Sequence, residues 1–240
     1  MIDIHAHILP GIDDGAPDMN TALEMAAMAA DSGVDCLVAT PHCNIPGMYQ
    51  NYYEERLLDR FREFQQEVED ARIPIQIFAG MEVFATESLP DLMKENRILG
   101  LNGTQYLLLE FSFGEDPFFC DRILKECLAH GYMPVIAHPE RYFFVQKHPE
   151  IVFDWYEQGY LLQVNKGSVL GRFGRHAENI AGLILDENIA ACIASDAHSS
   201  WTRTTHMLEI QEYLQSNYGM QYAKKLLEEN PEKILRGIEL

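Results

Sequence analysis

The residues best suited to chemistry are histidines and carboxylates standing where apolar runs end. His5 and His7 are separated by one residue in the opening stretch Met1-Ile-Asp-Ile-His-Ala-His7. Alternate side chains of a strand share a face, so both imidazoles project together and can hold one metal ion. Pro10-Gly11 then breaks the strand, and Asp13-Asp14-Gly15 offers carboxylates on a turn. His42, Glu82 and Glu110 follow or lie within further apolar stretches, as do His138, Asp196 and His198. One histidine in such a place is more often a satisfied core residue than a ligand. Five of nine histidines at strand ends, with three carboxylates beside them, form a pattern that chance does not readily supply.

A buried carboxylate without a partner is costly, so Glu110 within Leu107-Leu-Leu-Glu-Phe111 requires a cation. This many donors calls for more than one metal, and the mixed set suits manganese, iron or zinc better than magnesium alone. Clustered metals generate hydroxide at neutral pH and clamp the oxygens of an in-line displacement. Arg141 and Arg203 are the cations nearest the proposed cluster. A guanidinium fork matches the oxygens of a phosphate, which points to a phosphomonoester. Lys166 is a further, weaker candidate, and Tyr49, Tyr52, Tyr53 and Tyr142-Phe143-Phe144 could wall a pocket for an aromatic ring. Cys43 adjoins His42, but oxygen and nitrogen donors already abound. His130, His148, His176 and His206 are expected on or beside helices, facing solvent.

These residues need elements to position them, and the chain alternates short apolar runs with longer amphipathic stretches. Strands are expected at the start, at Asp35 to His42, Pro74 to Glu82, Tyr106 to Phe111, Met133 to Arg141, Tyr160 to Asn165, and Ile189 to His198. Helices are expected from about Asp18 to Ser32, Tyr52 to Ala71, Leu89 to Lys94, Pro117 to His130, Pro149 to Gln158, and Arg175 to Glu187. Two more begin near Thr204 and Gln221. Alternation of this kind implies parallel strands joined by right-handed crossovers. An open sheet would spread the polar strand ends along a row, whereas a closed barrel brings them to one rim. The expectation is therefore an α/β fold, a seven-stranded (β/α) barrel in one domain over residues 1–240.

The formal net charge of −19 argues against nucleic acid or an anionic membrane surface as a direct partner. Bound divalent ions would reverse that field locally for a phosphorylated substrate. Five cysteines without a Cys-x-x-Cys fit free thiols in a reducing cytosol. No apolar run approaches the ~18 residues of a membrane span and no signal peptide is evident, so a cytoplasmic protein is expected. No cysteine is followed by arginine at the sixth position, which leaves no Cys-x5-Arg nucleophile loop.

Taken together, His5-Ala-His7, Asp13-Asp14-Gly15, Thr40-Pro-His42, Gly80-Met-Glu82, Glu110-Phe111, Ala137-His-Pro-Glu-Arg141 and Ser195-Asp-Ala-His198 resemble the PHP (polymerase and histidinol phosphatase) superfamily. The opening Ile2-to-Gly15 stretch, Gly167 to Gly174 and Ser195 to Arg203 resemble its manganese-dependent protein-tyrosine phosphatases of bacterial capsule and exopolysaccharide operons. The resemblance runs over essentially the whole chain. It implies a distorted (β/α)7 barrel with three divalent ions, held by His5, His7, Asp14, His42, Glu82, Glu110, His138, Asp196 and His198. Glu110 would bridge, and Arg141 and Arg203 would hold the phosphate. Asp13 competes with Asp14 for the ligand role. The implied partner is the tyrosine-rich tail of a membrane-associated bacterial tyrosine kinase. The alternative enzyme uses the same site on a small phosphomonoester such as histidinol phosphate. A regulator that binds phosphotyrosine without cleaving it is a second reading, and an amidohydrolase is a third, disfavoured because Glu110 stands where a carboxylated lysine would be needed.

Overall fold

A computed structural model describes residues 1–240. The apolar runs form nine parallel strand segments: β1 (Ile2–Ala6), β2 (Cys36–Ala39), β3 (His42–Cys43), β4 (Gln76–Ala79), β5 (Glu82–Phe84), β6 (Tyr106–Glu110), β7 (Met133–Ala137), β8 (Leu161–Asn165) and β9 (Ala190–Ala194). They occupy seven positions, because two of the expected strands are each split in two. One sheet runs β1-β2-β4 and the other β3-β5-β6-β7-β8-β9. The first break falls at Thr40-Pro41, where proline cannot donate to the ladder. The second falls at Gly80-Met81, where a Cβ on Gly80 would lie 2.9 Å from Val38 Cγ1 and 3.0 Å from Leu101 Cδ2. Beyond both breaks the ladder resumes with His42 opposite Glu82.

The ring closes between β9 and β1. Asp196 N–H donates to His5 O and His7 N–H to Ala197 O, each at 2.8 Å, and Ala6 bridges Ala197 in parallel. Below the breaks β4 and β6 do not pair, and the turn Leu101–Gly103 lies against both. The result is the expected (β/α)7 barrel, with its distortion concentrated at these two places.

The helices are α1 (Met19–Asp31), α2 (Glu55–Asp70), α3 (Leu89–Lys94), α4 (Pro117–Ala129), α5 (Phe143–Lys147), α6 (Glu150–Glu157), α7 (Lys166–Val169), α8 (Arg175–Asp186), α9 (Leu208–Tyr218), α10 (Met220–Lys224) and α11 (Asn230–Arg236). Asp18 caps α1 by accepting from Thr21 N–H at 2.9 Å. In α2, Leu57, Phe61, Phe64 and Val68 are buried, as their helical spacing requires. Burying each such side chain contributes about 1.5–3 kcal/mol. The α9 helix starts four residues later than its composition suggests. The carbonyls of Thr204 and His206 accept from Lys166 Nζ, and the Thr205 hydroxyl donates to Met25 O at 2.6 Å, so this stretch is tied down outside a helix. The main core packs strands against helices through residues such as Met25, Phe64, Leu109, Ile136 and Ile184. A smaller cluster joins Ile4, Val38, Leu108, Val135 and Ala194 from five strands to Leu101, Ile234 and Leu235. Glu110 lies two residues beyond Leu108 on the same face of β6, so the small cluster is the floor of the site.

Candidate metal centre

The first strand delivers two imidazoles with their outer nitrogens already engaged. His5 Nδ1 lies 2.8 Å from Gln163 Oε1 on β8, and His7 Nδ1 lies 2.9 Å from Asp13 Oδ2. These acceptors favour a proton on Nδ1 of each ring, which leaves a lone pair on each Nε2. The two Nε2 atoms are 3.2 Å apart. As neutral rings they would point lone pair at lone pair, an arrangement that a shared cation relieves.

The Asp13-Asp14 turn divides its labour. Asp13 stands behind the histidines, where it also accepts from His42 N–H and Gly15 N–H, both at 3.0 Å. Asp14 faces the cluster, with Oδ1 3.4 Å from His42 Nε2 and 3.6 Å from His198 Nε2. A Cβ on Gly15 would lie 2.0 Å from the His7 carbonyl oxygen, so glycine is required for the turn to close on β1.

Glu82 occupies the middle. Its Oε1 is 3.0 Å from His138 Nε2 and 3.2 Å from His5 Nε2, and its Oε2 is 3.2 Å from His7 Nε2. His42 Nδ1 and Glu82 Oε2 are 3.0 Å apart, yet both are buried and neither has a hydrogen bond of acceptable geometry. Glu110 reaches His42 Nδ1 at 3.8 Å and His138 Nε2 at 3.6 Å. Asp196 Oδ1 is 3.6 Å from His5 Nε2, His7 Nε2 and His198 Nδ1. The residues form four overlapping groups with donor atoms within 4.8 Å: His7, Asp14, His42 and His198; His5, His7 and Asp196; His5, Glu82 and His138; His42, Glu82 and Glu110. All nine residues singled out as ligands in the sequence are brought together. Orphaned, convergent nitrogen and carboxylate donors fit a group of divalent ions.

Charge in the cluster is finely opposed. Burial works against protonation of His5, but Glu82 and Asp196 outweigh it and raise its pKa. His7 is raised further, against burial, by Asp13 and Glu82. Burial also penalises the Glu82 carboxylate, yet His5 and His42 hold it well below the usual range. Burial, with repulsion from Glu82 and Asp196, pushes Glu110 well above that range. Burial lowers His138 to about 4 and, with His7, lowers His198 to about 2. His138 and His198 therefore offer lone pairs at neutral pH, whereas an ion arriving at His5 and His7 displaces protons.

Asp196 links this cluster to the arginines. Its Oδ2 accepts from Arg203 Nη2 at 2.7 Å, Asn165 Nδ2 at 2.7 Å and Arg141 Nη1 at 2.9 Å. The Arg141 guanidinium lies 4.9 Å from the Phe113 ring centroid and 4.5 Å from that of Phe173. Arg203 Nε is buried without a partner. His138, Asp196 and Arg203 all take left-handed backbone, at φ 36°, 49° and 49°. Non-glycine residues in that region store strain, and here all three belong to the site.

Several expectations need correction. Lys166 is buried and braces the loop that carries Arg203, donating to Thr204 O and to His206 O at 2.7 Å, so it is not free to meet a phosphate. As expected, Cys43 belongs to none of the donor groups, and burial pushes its thiol up to about 12. Tyr142 is fully buried, accepting from Phe111 N–H and donating to Ala137 O, and Phe144 is core; only Phe143 of that trio is exposed. Tyr53 packs on the core, whereas Tyr49 stacks on His42. His130 is half-buried rather than solvent-facing. Sequence reasoning missed Gln163, Asn165 and Glu140. Glu140 accepts from Asn165 N–H at 3.0 Å, and burial raises its carboxyl to about 7. The polar residues inside Leu161-Leu-Gln-Val-Asn165 were the available signal, because a buried amide in an apolar strand must serve a neighbour.

The chain is similar to known proteins along essentially its whole length. The tyrosine-protein phosphatase YwqE of Bacillus subtilis is 33% identical over 237 residues, spanning 99% of this chain and 92% of its own. The tyrosine-protein phosphatase CpsB of Streptococcus pneumoniae is 28% identical over 240 residues, spanning 98% of each. A chain from the crystal structures of YwqE and CpsB, described there as metal-dependent tyrosine phosphatases, superposes with a TM-score of 0.92 at 33% identity, covering 99% of this chain and 95% of that one. Residues 1–236 match the profile of one family, and the chain accordingly belongs to the CpsB/CapC family of capsular polysaccharide synthesis.

Proposed function

We propose that the protein is a metal-dependent protein-tyrosine phosphatase acting through this centre, with the whole chain as one phosphatase domain. The observation that carries the reading is Asp196, whose one oxygen faces the histidine cluster while the other gathers Arg141 and Arg203. A phosphoryl group needs both surroundings within reach. Three manganese ions are the proposed complement, which His5, His7, Asp14, His42, Glu82, Glu110, His138, Asp196 and His198 would hold. Bound there, divalent ions supply Lewis acidity and a hydroxide nucleophile at neutral pH.

The chain's own residues do the remainder. Gln163 aims His5 and Asp13 aims His7, and Asp196 with the two phenylalanine rings holds the guanidinium planes. Arg141 and Arg203 then bind phosphate oxygens and stabilise charge that develops on them. A cavity of about 510 Å³ beside Arg203, lined by Phe173 and the exposed Trp201, offers aromatic faces for the phenyl ring of phosphotyrosine. The proposed substrate is the tail of a membrane-associated tyrosine kinase controlling capsule or exopolysaccharide synthesis, met in the cytoplasm. No helix of this chain is long and apolar enough to cross a membrane.

The test is phosphate release by chelator-stripped protein, with and without Mn2+, from a phosphotyrosine peptide and a phosphoserine peptide. Metal-dependent release favouring phosphotyrosine is expected. Release only from a small phosphomonoester such as histidinol phosphate would move the substrate class. Peptide binding without any release would overturn the hydrolytic reading.

A further inference from the structure

Tyr49 extends the site away from the metal centre. Its ring stacks on His42 with centroids 5.9 Å apart and planes 3° from parallel. The same residue lines a second cavity, of about 590 Å³, whose wall includes Gly11 and Ile12 in the loop that leads to Asp13 and Asp14. Arg56 and Arg60 of α2 line this cavity too, with Arg97 alongside. The chain has 18 basic residues against 37 acidic ones, so three arginines on one cavity run against its composition.

Their surroundings differ. Arg97 is engaged, donating to Glu54 at 2.8 Å with its guanidinium 4.0 Å from the Tyr52 ring centroid. Arg60 pairs with Glu63 at 3.0 Å on exposed helix surface, a contact that water weakens. Arg56 is exposed and has no carboxylate partner, although it is flanked by Glu54 and Glu55 in sequence. Arg56 and Arg60 stand one helical turn apart, a spacing at which like charges weaken a helix. Two cations on one face of an acidic protein open on a cavity walled by Tyr49, which stacks on His42, while the one carboxylate in its wall, Glu54, is already held by Arg97; together they form a local anion trap.

We infer that this cavity is a subsite for an anionic side chain flanking the phosphotyrosine, so that the enzyme selects acidic phosphopeptides. The inference rests on the phosphatase reading. The anion is a carboxylate of Asp or Glu, or the phosphate of a second phosphotyrosine; both offer oxygens that a guanidinium can bind. The subsite also lets a chain of net charge −19 accept a substrate that its remaining surface repels.

The experiment uses the metal-loaded protein and fluorescein-labelled phosphotyrosine peptides. Their flanking positions carry Glu, Ala or Lys in turn, and one further peptide carries a second phosphotyrosine. Wild-type kcat/KM is expected to rank Glu above Ala above Lys, each step about two- to fivefold at low salt and shrinking at high salt. The ratio of the doubly phosphorylated peptide to the Glu peptides identifies which anion the subsite prefers. In the Arg56→Glu/Arg60→Glu protein the order should invert, with Lys flanks preferred. Flank-independent kcat/KM in the wild type, or a Glu preference that survives the double reversal, overturns the subsite. Turnover of free phosphotyrosine by the wild type tests the phosphatase reading separately. If release is absent from free phosphotyrosine and from every peptide while peptide anisotropy still ranks Glu above Ala above Lys, the phosphatase reading fails, substrate selection falls with it, and the cavity remains only an anion-binding site.

Discussion

Replacing Asp13 by Asn isolates how much a residue that stands behind the histidines contributes to ion binding. The carboxylate accepts three hydrogen bonds: Oδ2 from His7 Nδ1 at 2.9 Å and His42 N–H at 3.0 Å, and Oδ1 from Gly15 N–H at 3.0 Å. An amide has one oxygen, so one side must fail. With nitrogen toward Gly15, two donors face each other and the turn carrying Asp14 loosens. With nitrogen toward His7, the ring is driven to the other tautomer and its inward lone pair is lost. A hydrogen bond to a charged group contributes about 1.5–3 kcal/mol, or roughly 10- to 150-fold in a binding constant. Changes to such outer partners commonly weaken metal binding by about 10- to 100-fold. Asp13→Asn should therefore bind Mn2+ about 10- to 100-fold more weakly, measured by competition with a chromogenic chelator. Asp13 also raises the His7 pKa, so wild-type affinity should climb with pH as that proton leaves. The variant should show a flatter climb. Affinity within about twofold of wild type, with an unchanged pH slope, would refute the assignment of Asp13 as the residue that aims His7.

Two further outcomes follow from buried groups. Cys43→Ser should keep turnover within about twofold per folded molecule, because a thiol raised to about 12 is no nucleophile at neutral pH; a loss of several orders of magnitude would contradict hydroxide chemistry. Glu140 holds its proton more tightly folded than unfolded, with its pKa raised from 4.5 to about 7. The associated stability is fully present below the unfolded value and is lost as pH rises through the folded one. Melting curves from about pH 5 to about pH 8 should show wild type falling relative to Glu140→Gln, and parallel curves would count against a buried protonated Glu140.

Most of the strands were readable because they are largely apolar runs buried on both faces, as parallel barrel strands are, although β4 leaves Gln76 exposed. Their breaks were not. Pro41 and Gly80 are visible as residues, but that they divide one ring into two hydrogen-bonded sheets depends on Val38 and Leu101 packing at Gly80, which is a tertiary fact. The late start of α9 has the same origin, since a lysine forty residues away takes the carbonyl that a helix would use. Donor residues at strand ends stood out because charge after an apolar run is conspicuous. Lys166, by contrast, reads as a free cation at a strand end until its neighbours are known. The choice between Asp13 and Asp14 rests on a turn whose direction is set by the close approach of Gly15 to His7.

The left-handed backbone at His138, Asp196 and Arg203 bears on how this protein can be altered. Each costs about 1–2 kcal/mol relative to a relaxed conformation, and glycine at the same place would be free of that penalty. Relieving that strain would also remove the Asp196 pairs with Arg141 and Arg203 or the His138 contact with Glu82, so the site itself holds the strain in place. Engineering for heat resistance is better directed at α2, α4 and the outer face of α8, leaving these three positions as a fixed debit in stability that the centre requires.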